Sequence, residues 1–417
     1  MTRGGDAPAP ARDLRGTLRD APVEVTLAKA RGILRAVGIT RVANVTGLDH
    51  VGVPTWLVVR PLARSLTVSQ GKGLTHELAQ ASGLMESIEV HHAEHFVPRG
   101  HRRSLRTAAR DPAYVHPLLL PVRPSGKIVN GATVEWIEAR DIATGARQFV
   151  PRELISLGRC AEARAPRIFV SSSNGLASGN SRAEALLHGV CEVIERDQTT
   201  RWYARNRFDP DLAGSGLSLE SVTDEHCRAL LDRCADAKLS VHAFYVTQDM
   251  AVPCFMCMVF DHRAHTLYPQ RAAGFGCHPY RRIALSRAIT EALQSRLTFI
   301  AGARDDVYWA DYRNRLRVDD AWGMDWARSL EVKAPETDYA DVPEAPAMPD
   351  LAALLAWTLA RLREQGFERA LAVELTQEAW NIPVVHVTVP GLEGLILKPS
   401  YTPGPRMQAF LAERQPS

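Results

Sequence analysis

A chain of 417 residues, 46% hydrophobic and 23% charged, holds enough apolar material for one elaborate domain or two simpler ones. Its formal net charge of +3 is too small for a broad nucleic-acid footprint, and no apolar run is long enough to span a bilayer, so neither nucleic acid nor membrane is an expected partner. Seven cysteines, an odd number without framework spacing, point to reduced thiols in the cytoplasm.

Met1 to Arg12 is Ala, Pro and Arg without an apolar stretch and reads as a disordered leader, which sets residues 1–14 apart from a domain over 15–407. Glu24 to Val37 has helical patterning. Thr55 to Val59 and Ser65 to Ser69 read as short strands, and Gln70-Gly71-Lys72-Gly73 as a loop before a helix over Thr75 to Glu94. His101 to Ser125 is basic and irregular. Thr133 to Ala139 and Ala146 to Val150 form a hairpin around Thr144-Gly145. A small-residue loop, Ser171 to Gly179, leads into a helix ending near Asn206. An amphipathic helix over Asp224 to Ala237 precedes strands at Ser240 to Val246 and Pro253 to Phe260. Gly274-Phe275-Gly276 leads to a helix over Arg281 to Ala301. Ala334 to Pro349 is acidic and Pro-rich, an expected exposed loop. Asp350 caps a helix to Gln365, and strands at Ala370 to Thr376 and Val384 to Val389 follow. Helices and strands mix without strict alternation, so the expected fold class is α+β with mixed or antiparallel sheets.

Three of these helices carry acids on one face beside a Ser, Asn or Arg: Ser82, Glu86 and Glu89; Asn180, Glu184, Glu192, Glu195 and Arg196; Arg287, Glu291, Gln294 and Arg296. Two readings stand. A solvated polar face is the ordinary fate of such a pattern, and Ser181 to Glu184 is a capping box that gives Glu184 a structural task. Against this, no lysine neutralises these acids one turn on, and each helix follows a glycine-containing segment of the kind that offers N–H groups to an anion. Carboxylates interleaved with arginines suit hard cations shared with a polyphosphate.

Other constellations are weaker. Cys254 and Cys257 lie in a strand, where their sulfurs point to opposite faces, and no second pair completes a zinc site. His91 and His95 share a helical face near an expected exposed helix end, with no third ligand in view. There is neither a P-loop nor a protein-kinase signature.

Taken in order, Gly16-Thr-Leu-Arg19, Thr26, Gly38-Ile-Thr-Arg41, Thr46-Gly-Leu-Asp49, Gly71-Lys-Gly73, Ser82 to Glu89, Gly175-Leu-Ala-Ser-Gly179, Glu192 to Arg196, Arg287 to Arg296 and Val389-Pro-Gly-Leu-Glu393 resemble the YcaO family from about Gly16 to Met407. The resemblance implies a fold built around an internal Mg-ATP site, in an enzyme that phosphorylates a backbone amide oxygen of a ribosomally made peptide before a nucleophile displaces phosphate. It implies Mg²⁺ ligands at Glu86, Glu89, Glu184, Glu192, Glu195 and Glu291. Nucleotide contacts are implied at Arg19, Thr26, Ser82, Asn180, Arg196 and Arg287, with Arg196 and Arg287 also stabilising the transferring phosphoryl group. Arg19 and Thr26 stand where some members have Lys and Ser. Val90 follows Glu89 where many have Arg, and His386 stands at a commonly basic position.

Azoline-forming members often end in Pro-x-Pro-x-Pro. Here Pro403-Gly-Pro405 is followed by Arg406, Met407 and a tail over 408–417, expected to pack on the surface or meet a partner. The opening motifs look more like members paired with a TfuA protein. The expected reaction is therefore thioamide formation on a precursor peptide or protein, with a TfuA-like or leader-binding partner. Azoline formation and a non-catalytic peptide-binding scaffold are the alternatives, and a homodimer is the assembly left open.

Overall fold

The computed structural model describes residues 11–123, 131–158, 167–208, 216–261, 271–309, 312, 337–394 and 402–413. Cys160 and most of the leader lie outside them, while Arg12–Asp13 (β1) already pair with Leu18–Arg19 (β2). Next come helices α1 (Val23–Gly32) and α2 (Leu34–Val37), the expected single helix being interrupted at Ile33. Strands β3 (Arg41–Asn44), β4 (Thr55–Val59) and β5 (Val68–Lys72) form an antiparallel sheet, followed by α3 (His76–His95). Strands β6 (Gly100–Ser104), β7 (Thr133–Asp141), β8 (Arg147–Pro151) and β9 (Leu176–Ser178) belong to a second sheet, with the short helix α4 (Leu105–Ala108) after β6. After α5 (Arg182–Phe208) and α6 (Glu225–Asp236), strands β10 (Leu239–Tyr245), β11 (Cys254–Asp261) and β12 (Arg271–Cys277) make a third sheet, followed by α7 (Arg281–Ala301). Helix α8 (Leu351–Glu364), strands β13 (Leu371–Glu374) and β14 (Val384–Thr388), and helix α9 (Pro405–Ala412) end the fold. This is the α+β class, and every ladder among the described strands is antiparallel.

Two of the three glycine segments are strands and not loops, and the third is a loop that ends in a short strand. Gly71, Gly274 and Gly276 lie inside β5 and β12, and Gly175 and Gly179 flank β9. They are glycine because each strand presses directly on the helix that follows it. A Cβ on Gly71 would stand 1.9 Å from the Ala79 carbonyl oxygen, and one on Gly274 2.1 Å from the Ala292 nitrogen. Successive strand residues face opposite ways, so each inner strand also meets a second helix. Gly71 faces α3 while Lys72 reaches Glu291 on α7. Gly179 faces α5 while Ser178 bonds Glu89 on α3. Gly276 faces α7, and β12 also touches α5. The units β5–α3, β9–α5 and β12–α7 thus close in a ring, with the acidic helices turned to a common centre. Gly71→Ala should cost about 3 kcal/mol or more, because the conflict is with helix backbone that cannot swing aside; denaturant unfolding measures it.

Other expectations change. Residues 337–349 are mostly exposed, as expected of a loop, but Tyr339, Val342 and Ala345 anchor the segment in the core. His91 and His92 are buried rather than exposed: the His91 ring stacks on His95 at 4.1 Å and lies against Trp380, and Arg60 pairs with the buried Glu94 at 2.9 Å. Cys254 and Cys257 do point into different cores, and the six described cysteines are buried and free. Among the described residues no helix is long and apolar enough to cross a membrane.

Candidate active site

Glu184 sits 5% exposed at the start of α5, at the head of a chain of bonds. Its carboxylate accepts from the Asp20 N–H at 3.0 Å and from Asn180 Nδ2 at 3.2 Å, with Arg19 Nε 3.6 Å away. Thr26 Oγ1 donates to Asn180 Oδ1 at 2.8 Å. The capping box is therefore half formed: Ser181 Oγ accepts the Glu184 N–H at 3.1 Å, but the Glu184 carboxylate turns to the hairpin β1–β2.

Glu89, 8% exposed, accepts from Ser178 N at 2.8 Å and Ser178 Oγ at 2.6 Å. Even so, burial raises its pKa to about 7. Burial, with Glu89 beside it, raises Glu86 to about 8; this carboxylate keeps an open face to solvent while protein surrounds it on its other sides. Burial raises Glu192 to about 8; Arg196 opposes it, while Glu195 and Glu89 push the same way as burial. Glu195, 4% exposed, is raised by burial and by Glu291, against Arg196 at 3.8 Å. Glu291 alone of these is held below the ordinary carboxylate range: burial disfavours its charge, but Lys72, Arg196 and Arg287 outweigh it. Lys72 Nζ donates directly to Glu291, and Phe275 N–H donates at 3.3 Å.

Arg287, one turn before Glu291, influences Glu89, Glu192, Glu195 and Glu291 alike. Its Nη2 lies 3.2 Å from His188 Nε2. Burial, with Arg287 and Arg19 nearby, holds His188 and His278 neutral, well below the ordinary histidine range. Arg19 acts on Glu89 as well as Glu184, joining the two halves. Ser82 lies one turn before Glu86 on the same face of α3. The acidic residues singled out in the sequence thus come to one region; Glu89, Glu184 and Glu195 are buried and Glu192 and Glu291 partly so, against a solvated face, while Glu86 stays exposed. Arg296 does not join them: it pairs in the core with Asp49 at 2.9 Å and Asp261 at 2.8 Å. Nor does His386, 4% exposed within β14 and held neutral by burial with a pKa near 4.

Lys72, Ser178, His188, His278 and Arg304, which pulls Glu86 down, were not singled out by sequence. Only Lys72 carried a signal, as the lone cation between two glycines.

An α+β fold whose three strand–helix units close on buried carboxylates and arginines defines the class. The YcaO family model, described as YcaO cyclodehydratase, ATP- and Mg²⁺-binding, matches residues 70–393, and the chain belongs to this family. It is 33% identical over 376 residues to an uncharacterized protein in the tfuA 3′ region of Rhizobium leguminosarum bv. trifolii, covering 88% of this chain and 87% of that one. The fold is similar to a heterocyclase in complex with substrate and cofactor, with TM-score 0.75 and 21% identity over 94% of this chain and 54% of that one, so this chain spans about half of that enzyme. It is also similar to YcaO from Methanopyrus kandleri bound with AMPPCP and Mg²⁺, with TM-score 0.72 and 21% identity over 91% and 94% of the two chains.

ATP and Mg²⁺ are accordingly the cofactors of this family member. The residues present fit them. Arg287 Nε is buried without a hydrogen-bond partner among the described residues, as a phosphate contact would be before its ligand arrives. Arg19, Arg196, Arg287 and Arg304 only partly offset the burial of the carboxylates raised to about 7 and 8, and carboxylate oxygens suit Mg²⁺. Among the described residues no three His, Cys, Asp or Glu side chains form a ready metal cluster.

Proposed function

We propose that this chain activates a backbone amide of a ribosomally made peptide or protein by O-phosphorylation, and that sulfide then replaces the oxygen to give a thioamide. The observation that carries the reading is the ring of buried, under-neutralised carboxylates around Arg287 with its free Nε. Bound ATP supplies the phosphoryl group and Mg²⁺ compensates its charge. The amide oxygen is a weak nucleophile, so the site must align it with the γ-phosphorus and receive charge as the bond to the β-phosphate oxygen breaks. Arg196 and Arg287 are the cations proposed to take up that charge. Glu86, Glu89, Glu192, Glu195 and Glu291 are the proposed Mg²⁺ ligands, with Glu184 completing the set beside Arg19. Thr26, Ser82 and Asn180 are proposed nucleotide contacts. In the second step hydrosulfide adds to the activated carbon, the carbon–oxygen bond breaks, phosphate leaves and a proton is lost.

The relative in the tfuA 3′ region supports the thioamide outcome and a TfuA-like partner. The family's cyclodehydratase description and the heterocyclase neighbour support the second reading, azoline formation by a Cys, Ser or Thr side chain of the substrate. Mass spectrometry of precursor peptide incubated with the protein, a TfuA-like partner, Mg-ATP and sulfide separates them: exchange of oxygen for sulfur is expected, and loss of one water would establish the azoline reading. Modification without ATP consumption by this chain would leave it a scaffold.

The tail gives a further expectation. Met407 and Phe410 of α9 are buried against Ala204. Deleting Gln408 to Ser417 keeps Arg406 and Met407 but removes Phe410 and most of α9, so Mg-ATP binding should be weakened and not abolished. Loss of binding in a folded truncation would restore the azoline reading, in which the C-terminal end enters the site.

A further inference from the structure

We infer that Arg406 is a positioning residue for the nucleotide site, acting on helix α5 through Asp197; this deepens the reading above and rests on it. Arg406 lies in the first turn of α9, and its Nη1 donates to Asp197 Oδ2 at 2.6 Å. Its Nη2 donates to Asp249, which also accepts from Arg201 Nη1 at 2.6 Å. Gln198 Nε2 bridges the two carboxylates at 2.9 and 3.1 Å. Asp197 is fully buried, and its second oxygen accepts the Glu393 N–H at 2.9 Å. Glu393 in turn accepts the N–H groups of Gly404 and Met407, each at 3.1 Å, and so caps α9. Met407 and Phe410 then pack on Ala204 of α5, with the Arg201 guanidinium 5.1 Å from the Phe410 ring centre.

Asp197, Arg201 and Ala204 form one stripe of α5, at spacings of four and three residues. Glu184, His188, Glu192 and Glu195 form another, which at about 100° per residue lies roughly opposite. The helix is therefore gripped on one side by α9 and bears the site on the other. Apolar packing alone leaves a helix some freedom to rotate about its axis. An ion pair to a fixed, buried carboxylate removes it, because a planar guanidinium fork accepts few orientations. With a helix radius of about 5–6 Å including side chains, a rotation of about 10° moves Glu192, Glu195 and Arg196 by about 1 Å. A misplacement of about 1 Å can cost a reaction about 100-fold. The sequence position of Asp197, next to Arg196, makes the grip act where the displacement matters most.

The test uses the full chain and Mg-AMPPCP. Removing Arg406 alone would leave the buried Asp197 carboxylate without its cation, so the informative variants are the double change Arg406→Gln with Asp197→Asn, and Arg406→Lys. Calorimetry gives the dissociation constant for Mg-AMPPCP, and a melting curve gives the stability without ligand. The double variant is expected to fold and to bind about 10-fold or more weakly. Arg406→Lys, which keeps the charge and loses the fork, is expected to fall between it and wild type. A purely structural role would lower the melting temperature and leave the dissociation constant unmoved. Wild-type affinity in the folded double variant, or in Arg406→Lys should the double variant fail to fold, overturns the inference. Failure of the wild type to bind Mg-AMPPCP defeats the nucleotide reading itself.

Discussion

Arg196→Ala should remove most of the rise in melting temperature that Mg-ATP gives the wild-type chain, and Glu195→Gln should do the same, with both proteins folded in the absence of ligand. A ligand that binds only the native state stabilises it by about 2.7 kcal/mol at 100 times its dissociation constant. Glu195 is 4% exposed and stands against Glu291, so its charge is a liability until a cation arrives. Glutamine keeps its shape and removes that repulsion, so Glu195→Gln should equal or exceed wild type in stability without ligand. Arg196 is the cation that most offsets the buried Glu192 and Glu195. Losing it raises both carboxyls further, which lets the protein fold with less buried charge and weakens them as metal ligands. An unchanged ligand-induced shift in both variants would contradict these roles.

The second large effect is on pH dependence. Glu86 and Glu192 are raised to about 8 and Glu89 to about 7, so between the ordinary carboxylate range and these values the folded chain holds protons that the unfolded chain has lost. Stability from this source is therefore full at low pH and is lost as pH rises through about 7 to 8. His188 and His278 act oppositely, being held neutral in the fold, but their effect ends once pH exceeds the ordinary histidine range. Without Mg²⁺ the melting temperature should fall from pH 7 to pH 8.5. Saturating Mg-AMPPCP should flatten that slope and release protons at pH 7, seen as a binding heat that depends on the buffer. The combined Glu86→Gln and Glu192→Gln variant should lose most of the slope, with Glu89 leaving a small remainder near pH 7. A wild-type melting temperature that rises across this window would contradict the assignment.

The long helices were legible because their periodicity survives any tertiary context: Asp350 caps α8 as its sequence position predicts, and Thr75 and Asp224, read as first helical residues, cap α3 and α6. The glycine segments were visible but read as loops. A strand pressed on a helix uses glycine for space, and a loop uses it for backbone freedom. The distinguishing signal was in the helices that follow, where Ala79 with Gly83 and Ala284, Ala288 and Ala292 form stripes of small residues facing those strands. The acidic set was legible as a pattern, but its convergence depends on sheet closure that no local rule encodes. Lys72 meets Glu291 across 219 positions and Asp197 meets Arg406 across 209, so neither pairing had a local signature. Arg296 was grouped with the site because it shares the acidic helix, and only the fold reveals Asp49 and Asp261 as its partners.

The central claim is that α3, α5 and α7 assemble one metal and nucleotide site. A crystal structure of the full chain with AMPPCP and Mn²⁺ in place of Mg²⁺, with the metal located by its anomalous signal, tests it most directly. The account predicts metal peaks among Glu86, Glu89, Glu192, Glu195 and Glu291, with the triphosphate in reach of Arg287 Nε. Metal and nucleotide bound elsewhere, with these carboxylates left facing one another or open solvent, would contradict it.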